Sequence, residues 1–116
     1  MTRTILIADD EEFIVDLLAT LLEDEQYRVL RAYDGEEALH AVQRERPHLI
    51  ITDVMMPKLT GTDLARRVRA GEVAEPTTPI ILMSAVRQPP AIPETHYLAK
   101  PFDIDQVLQL VARLLG

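Results

Sequence analysis

Five polar side chains in this 116-residue sequence have the chemistry to act together, namely three carboxylates, one hydroxyl and one ammonium: Asp9, Asp10, Asp53, Ser84 and Lys100. Three carboxylates repel one another unless a cation joins them, and oxygen ligands without His or Cys favour Mg²⁺. A carboxylate with an ordinary pKa near ~4 is ionised at neutral pH and can attack phosphorus. Lys100 can neutralise charge on a transferred phosphoryl group, and the Ser84 hydroxyl can donate a hydrogen bond to it.

Each of these side chains follows a predicted strand. Continuous apolar runs at residues 5–8, 49–51 and 80–83 are typical of strands buried on both faces of a parallel sheet. A mixed run at residues 27–32 indicates an edge strand, and residues 96–99 are a weaker fifth candidate. Because parallel strands end at the same edge of a sheet, the polar residues are expected to gather there, where open α/β sheets bind ligands.

Four helices are predicted between and after the strands. Apolar residues at helical spacing form four stripes: Phe13, Ile14, Leu17, Leu18, Leu21 and Leu22; Ala38, Leu39 and Val42; Leu64, Ala65 and Val68; and Ile104, Val107, Leu108, Val111, Leu114 and Leu115. Asp34 and Asp103 are expected N-caps and Gly71 a C-cap. The order β-α-β-α-β-α-β-loop-β-α predicts an α/β fold, a doubly wound five-stranded parallel sheet with helices on both faces.

The interval between the fourth and fifth strands contains Pro89, Pro90 and Pro93. Each proline removes a backbone donor and disfavours helical angles in the residue before it. We therefore predict an irregular loop at residues 87–94 in place of a helix.

Each site residue also has a purely structural interpretation. Asp9 and Asp10 could cap the first helix, and Asp53 could be a turn residue. Lys100 alone would be an ordinary surface lysine, and Tyr97 would be edge-strand packing. Their joint placement at strand ends favours a functional site.

The composition limits the function classes. A net charge of −7 disfavours direct nucleic-acid binding, because an acidic domain repels phosphate backbones. The absence of cysteine excludes disulfides and thiolate chemistry. No apolar run approaches the roughly 20 residues of a membrane span, and no signal-peptide pattern is present. We expect one domain over residues 1–116, located in the cytoplasm and without membrane contact.

The motifs resemble those of two-component response-regulator receiver domains, the CheY-like superfamily. Residues 7–11, 52–57, 83–85 and 97–102 read IADDE, TDVMMP, MSA and YLAKPF, and residues 34–39 are similar to the family's second helix. The resemblance covers essentially the whole chain. It implies a flavodoxin-like sheet of order 2-1-3-4-5, with the fourth helix missing or replaced by the Pro-rich loop. Thr60 stands where the family often has an acidic residue.

The resemblance also implies a role for each matching residue. Asp53 matches the phosphoacceptor, Asp10 the direct Mg²⁺ ligand, and Asp9 its partner, which often acts through water. The backbone carbonyl of Met55 matches a further metal ligand.

Three other residues match the family's switch. Ser84 matches the hydroxyl that moves toward the phosphoryl group, Lys100 the lysine that binds it, and Tyr97 the aromatic rotamer switch. The bond from Lys100 to Pro101 is usually cis in this family.

The function implied is a signalling domain that assists its own phosphotransfer and dephosphorylation but is not an enzyme in the usual sense. Its donor would be a phosphohistidine on a sensor histidine kinase or a phosphotransfer protein, and its output a downstream protein partner or effector domain. One alternative is a degenerate receiver that works as a phosphorylation-independent interaction module. Another, less favoured, is a Mg²⁺-dependent phosphohydrolase resembling the haloacid dehalogenases, whose Asp-x-Asp pattern lies on the first strand.

Overall fold

Strands and helices alternate along the chain in a computed structural model that describes residues 2–85 and 91–116. The elements, in chain order, are β1 (Thr4–Ala8), α1 (Glu12–Asp24), β2 (Arg28–Ala32), α2 (Gly35–Glu45), β3 (Leu49–Asp53), α3 (Gly61–Arg69), β4 (Ile80–Ser84), β5 (Thr95–Ala99) and α4 (Ile104–Leu115). All neighbouring strands pair in parallel, in the order β2-β1-β3-β4-β5. The predicted doubly wound α/β fold and its strand order are confirmed.

The central strands are buried on both faces because their side chains alternate between two apolar cores. Leu6, Ile50 and Leu82 belong to one core, which α2 and α3 cover with Ala38, Val42, Leu64 and Val68. The neighbouring strand positions belong to the other core, which α1 and α4 cover with Val15, Leu18, Leu22, Val107 and Val111. The apolar runs of the sequence therefore reflect burial against helices on both sides of the sheet.

Helix ends follow the capping residues of the sequence. Asp34 accepts a hydrogen bond from the Glu37 N–H at 2.8 Å, and Asp103 accepts one from Asp105 at 2.9 Å, so both predicted N-caps are confirmed. Thr60, at the position where the family often has an acidic residue, is the N-cap of α3. The C-cap of that helix is Ala70, so the prediction for Gly71 was wrong by one residue.

Gly71 nevertheless ends the helix by its backbone conformation. It has a φ of 75°, its N–H donates to Val68 O, and the next N–H, of Glu72, donates to Arg67 O. Two such bonds form a Schellman motif, which places a left-handed residue just after the cap.

The connection between β4 and β5 contains no helix in its described part, Ala85 and residues 91–94. Residues 87–90 of the predicted loop lie outside the described residues. Ile92 is buried in the core beneath α2 and α3. None of the helices in the described ranges has the length and apolar character needed to cross a bilayer.

Candidate functional site

The strand ends bring the predicted site residues to one edge of the sheet. Asp9 directly follows β1 and Lys100 directly follows β5, whereas Asp53 and Ser84 are the last residues of β3 and β4. Asp53 is paired with Met83 in the sheet register, so the ends of β3 and β4 lie almost level. The Lys100 N–H donates to Ser84 O at 2.9 Å, which ties the end of β5 to the end of β4.

Three carboxylates meet at this edge. One carboxylate oxygen from each of Asp9, Asp10 and Asp53 lies within 4.8 Å of the others. Asp9 is fully buried, Asp53 is partly buried and Asp10 is exposed, so the cluster opens to solvent on one side. A set of oxygen donors this close together fits a small hard cation such as Mg²⁺, which coordinates carboxylates and keeps several waters.

Lys100 provides a positive charge inside the cluster. Its Nζ lies 2.6 Å from Asp9 Oδ2 and 3.1 Å from Asp53 Oδ1, and Glu11 Oε1 is 3.5 Å away. The other oxygen of Asp9 accepts a hydrogen bond from the Glu11 N–H at 3.0 Å. The buried charge of Asp9 is thereby paired at both oxygens, as a buried carboxylate requires.

The electrostatics of Lys100 and Asp53 follow from this crowding. Burial alone would lower the pKa of Lys100, but hydrogen bonds and attraction from Asp9 and Asp53 outweigh it and raise the pKa. Burial raises the pKa of Asp53, and repulsion from Asp9 and then Asp10 adds to the rise, while Lys100 opposes it. Ionising Asp53 therefore costs more in the metal-free protein than ionising an exposed aspartate, and an added cation would reduce that cost.

The remaining predicted residues differ in how deeply they are buried. Ser84 is buried at the end of β4, and Tyr97, on β5, is 38% exposed. Met55, two residues after Asp53, exposes 64% of its surface. The peptide bond between Lys100 and Pro101 is cis, as the family resemblance implied.

Two glycines whose packing the sequence analysis did not foresee shape the loop after Asp53. A Cβ on Gly61 would lie 1.9 Å from the backbone oxygen of Asp53, and one on Gly35 would lie 1.9 Å from Leu59 O. The Gly61 N–H donates to Val54 O at 2.9 Å. The start of α3 therefore packs directly on the backbone of the candidate phosphoacceptor, where only glycine fits.

The role of Glu11 beside Lys100 was also missed. The sequence did contain a sign of this role, because Glu11 directly follows the acidic pair Asp9 and Asp10. It is the N-cap of α1, and the N-terminus of a helix favours negative charge. The spacing of residues in the sequence did not indicate that Lys100, which lies far along the chain, would contact Glu11.

Replacing Gly61 by alanine is expected to destabilise the fold by about 2–3 kcal/mol, since the methyl group must displace the Asp53 backbone. Chemical denaturation measures the change. Gly116→Ala is the control for an added methyl group without a clash, because nothing lies within 4 Å of a Cβ there and only its φ of 67° disfavours alanine. A Gly61→Ala protein that unfolds at the wild-type denaturant concentration would show that the close packing of α3 on Asp53 is not needed.

Comparisons with known proteins identify relatives of this chain. The family model described as the response regulator receiver domain matches residues 5–112. The response regulator GtcR of Aneurinibacillus migulanus is 38% identical over 98% of this chain and 47% of its own length. Sporulation initiation phosphotransferase F of Bacillus subtilis is 34% identical over 99% of this chain and 95% of its own length.

Solved structures show the same fold. The chemotaxis response regulator CheY4 of Vibrio cholerae superposes with a TM-score of 0.88 at 32% identity, over 98% of this chain and 99% of that one. Among curated relatives, the alkaline phosphatase synthesis transcriptional regulatory protein PhoP of Bacillus subtilis is 36% identical. The chain spans about half the length of several of these relatives, at 47% of GtcR and 49% of PhoP.

Proposed function

Because this chain belongs to the response-regulator receiver domains, the signalling domains of two-component systems, we propose that it accepts a phosphoryl group on Asp53 with the help of Mg²⁺ and thereby switches a protein-interaction surface. The observation that supports the proposal is the cluster itself. Three carboxylate oxygens lie within 4.8 Å of one another, and one ammonium bridges two of the three carboxylates.

In the proposed reaction a carboxylate oxygen of Asp53 forms a bond to phosphorus, and the bond from phosphorus to the donor's leaving group breaks. Asp10 and Asp53, with Asp9 and the Met55 carbonyl, are the residues that would hold Mg²⁺. When bound, the ion would neutralise charge on the phosphoryl oxygens. Lys100, held beside Asp53 by its ion pairs, supplies a second positive charge, and Ser84 donates a hydrogen bond to a remaining oxygen.

The proposed switch uses the connection between β4 and β5. Phosphorylation adds roughly two negative charges at the sheet edge. A displacement of Ser84 would move the end of β5, because Ser84 is paired with Ala99 and its carbonyl accepts a hydrogen bond from the Lys100 N–H. Tyr97 lies on the same strand and is partly exposed. A movement of β5 would therefore change the position of its side chain at the protein surface.

The proposed donor is a phosphohistidine of a sensor histidine kinase or a phosphotransfer protein. An apolar groove of about 460 Å³ lies beside Lys100, between Ile14 and Leu17 of α1 and Phe102 and Ile104 after β5. A partner must cover this edge to bring phosphorus to Asp53, and the partly exposed apolar side chains of the groove provide a surface to bind it.

For the output we propose that residues 1–116 act as one receiver domain on an effector domain or a separate protein. Several relatives are named as transcriptional regulators, and PhoP is one. With a net charge of −7, the receiver domain itself is not proposed to contact DNA.

The proposal is tested by incubating the protein with Mg²⁺ and a small donor such as acetyl phosphate or phosphoramidate, then measuring the intact mass. We expect one phosphoryl adduct per chain, no adduct when Mg²⁺ is chelated, and loss of the adduct on treatment with hydroxylamine, which cleaves acyl phosphates. A protein whose mass stays unmodified with Mg²⁺ and donor would refute phosphoacceptor function. An adduct that resists hydroxylamine would place the group on a side chain other than a carboxylate.

A further inference from the structure

Arg69, the last residue of α3, binds two loops at once through its guanidinium. On one side, Nη1 donates to the carbonyls of Pro76 at 2.8 Å and Thr78 at 2.7 Å. On the other side, Nε donates to Pro93 O at 2.6 Å, and Nη2 donates to Glu94 O. The first pair of carbonyls precedes β4 and the second pair precedes β5, so one side chain joins the entering ends of both strands to α3.

The chemistry of arginine suits this task. The guanidinium is a rigid planar fork of N–H donors that can bridge separate acceptors, whereas a lysine ammonium acts as a compact point charge. Arg69 is partly buried, and burial lowers its pKa while the Glu94 carboxylate opposes the change. Hydrogen bonds from a charged donor contribute more than neutral ones, so four of them at one residue anchor both loops to α3 even though three are exposed to solvent.

The strand that this anchor holds is otherwise restrained at its entering end, among the described residues, by the pairing of Thr95 with Ile80 and by the Thr95 hydroxyl, which donates to Pro93 O at 3.1 Å. β5 lies at the edge of the sheet and, among the described residues, pairs only with β4. The described part of the connection before it contains no helix, and Ile92 supplies the buried apolar contact there. At the leaving end, β5 is tied by the Lys100 N–H to Ser84 O.

We infer that Arg69 is a conformational clamp that fixes the entering end of β5, and with it the register of the strand carrying Tyr97 and ending at Lys100. The inference is based on the hydrogen bonds of Arg69 and does not depend on phosphorylation of Asp53, so either proposal can fail without the other.

Hydrogen exchange followed by mass spectrometry or NMR tests the clamp in the whole chain. In Arg69→Ala, amide hydrogens of Thr95–Ala99 are expected to exchange about tenfold faster or more, because local opening no longer breaks four charge-assisted bonds. Amides of Thr4–Ala8, in the centre of the sheet, should change much less. Arg67→Ala is the matched control, since Arg67 is exposed on the same helix and should leave exchange unchanged.

Arg69→Lys keeps the positive charge and most of the aliphatic side chain. It provides the test if the alanine variant does not fold. A single ammonium cannot span both loops, so faster exchange confined to β5 is expected in this variant as well. Exchange in both Arg69 variants that matches Arg67→Ala would overturn the clamp. Equal acceleration in β1 and β5 would overturn it too, because that result describes general destabilisation.

Discussion

The Asp53→Asn protein is expected to take up no phosphoryl group, and its metal-free form is expected to be more stable than the wild type. The first effect follows because an amide is not a nucleophile toward phosphorus, whereas the neighbouring carboxylates of Asp9 and Asp10 are proposed to bind the metal. The second follows because Asp53 lies partly buried in a cluster of negative charges. A gain of about 1 kcal/mol in the free energy of unfolding is the expected scale.

The pH dependence of stability gives an independent check on the second effect. Burial and repulsion raise the pKa of Asp53 above its ordinary value of 3.8, so the folded protein holds this proton more tightly than the unfolded chain. Stability contributed by Asp53 is therefore full below pH 3.8 and is lost as the pH rises through its folded pKa. Asp53→Asn should remove that part of the decline.

Both effects are measured on the same preparations, by intact mass after incubation with donor and Mg²⁺ and by denaturant unfolding with a chelator present. Glu75→Gln is the control, because Glu75 is an exposed carboxylate in the loop between α3 and β4 and should change neither quantity. Adding Mg²⁺ should stabilise the wild type more than Asp53→Asn, since the variant lacks one ligand. Undiminished phosphoryl uptake by Asp53→Asn would assign the acceptor to another residue, and a less stable metal-free variant would contradict the repulsion.

The sheet and most of the helix ends were predictable from the sequence because they depend on residues close together in the chain. Buried central strands give continuous apolar runs, as in residues 49–51, and capping side chains such as Asp34 act on N–H groups a few residues away. The edge strand β5 was the weakest prediction for the same reason, since its exposed side chains need not be apolar.

The gathering of Asp9, Asp10, Asp53 and Lys100 at one sheet edge was predictable because every one of them ends or follows a parallel strand, whereas the strand order was implied by the family resemblance. The features that were missed depend on distances between segments far apart in the chain. Gly61 is needed because α3 begins against the Asp53 carbonyl. A pattern of residue types along one chain carries no information about such contacts.

Lys100→Met is expected to destabilise the metal-free protein by about 3 kcal/mol, the opposite direction from Asp53→Asn. Methionine keeps an apolar stem of similar length but removes the ammonium that lies 2.6 Å from the buried Asp9 and 3.1 Å from Asp53. Asp9 has no exposed surface, so its charge would be left with the Glu11 N–H as its remaining described partner. Removing one partner of a buried ion pair typically costs about 3–5 kcal/mol.

Mg²⁺ should restore more stability to Lys100→Met than it adds to the wild type, because a divalent cation supplies the missing positive charge to the same carboxylates. With Mg²⁺ present, however, Lys100→Met should still take up the phosphoryl group about 100-fold more slowly than the wild type. This is the usual effect of losing one group that stabilises transition-state charge. Denaturant unfolding with and without Mg²⁺ and the rate of mass increase measure the two effects separately.

Lys58→Met is the matched control for these measurements. Lys58 is 3.4 Å from Asp34, but its side chain is 59% exposed, so losing this pair should cost less than about 1 kcal/mol. A Lys100→Met protein that resembles this control in stability, in its response to Mg²⁺ and in phosphoryl uptake would mean that Lys100 is an ordinary surface lysine. Opposite stability changes in Asp53→Asn and Lys100→Met would instead show that the sheet edge carries an excess of negative charge that a cation must balance, as the proposed phosphoryl transfer to Asp53 requires.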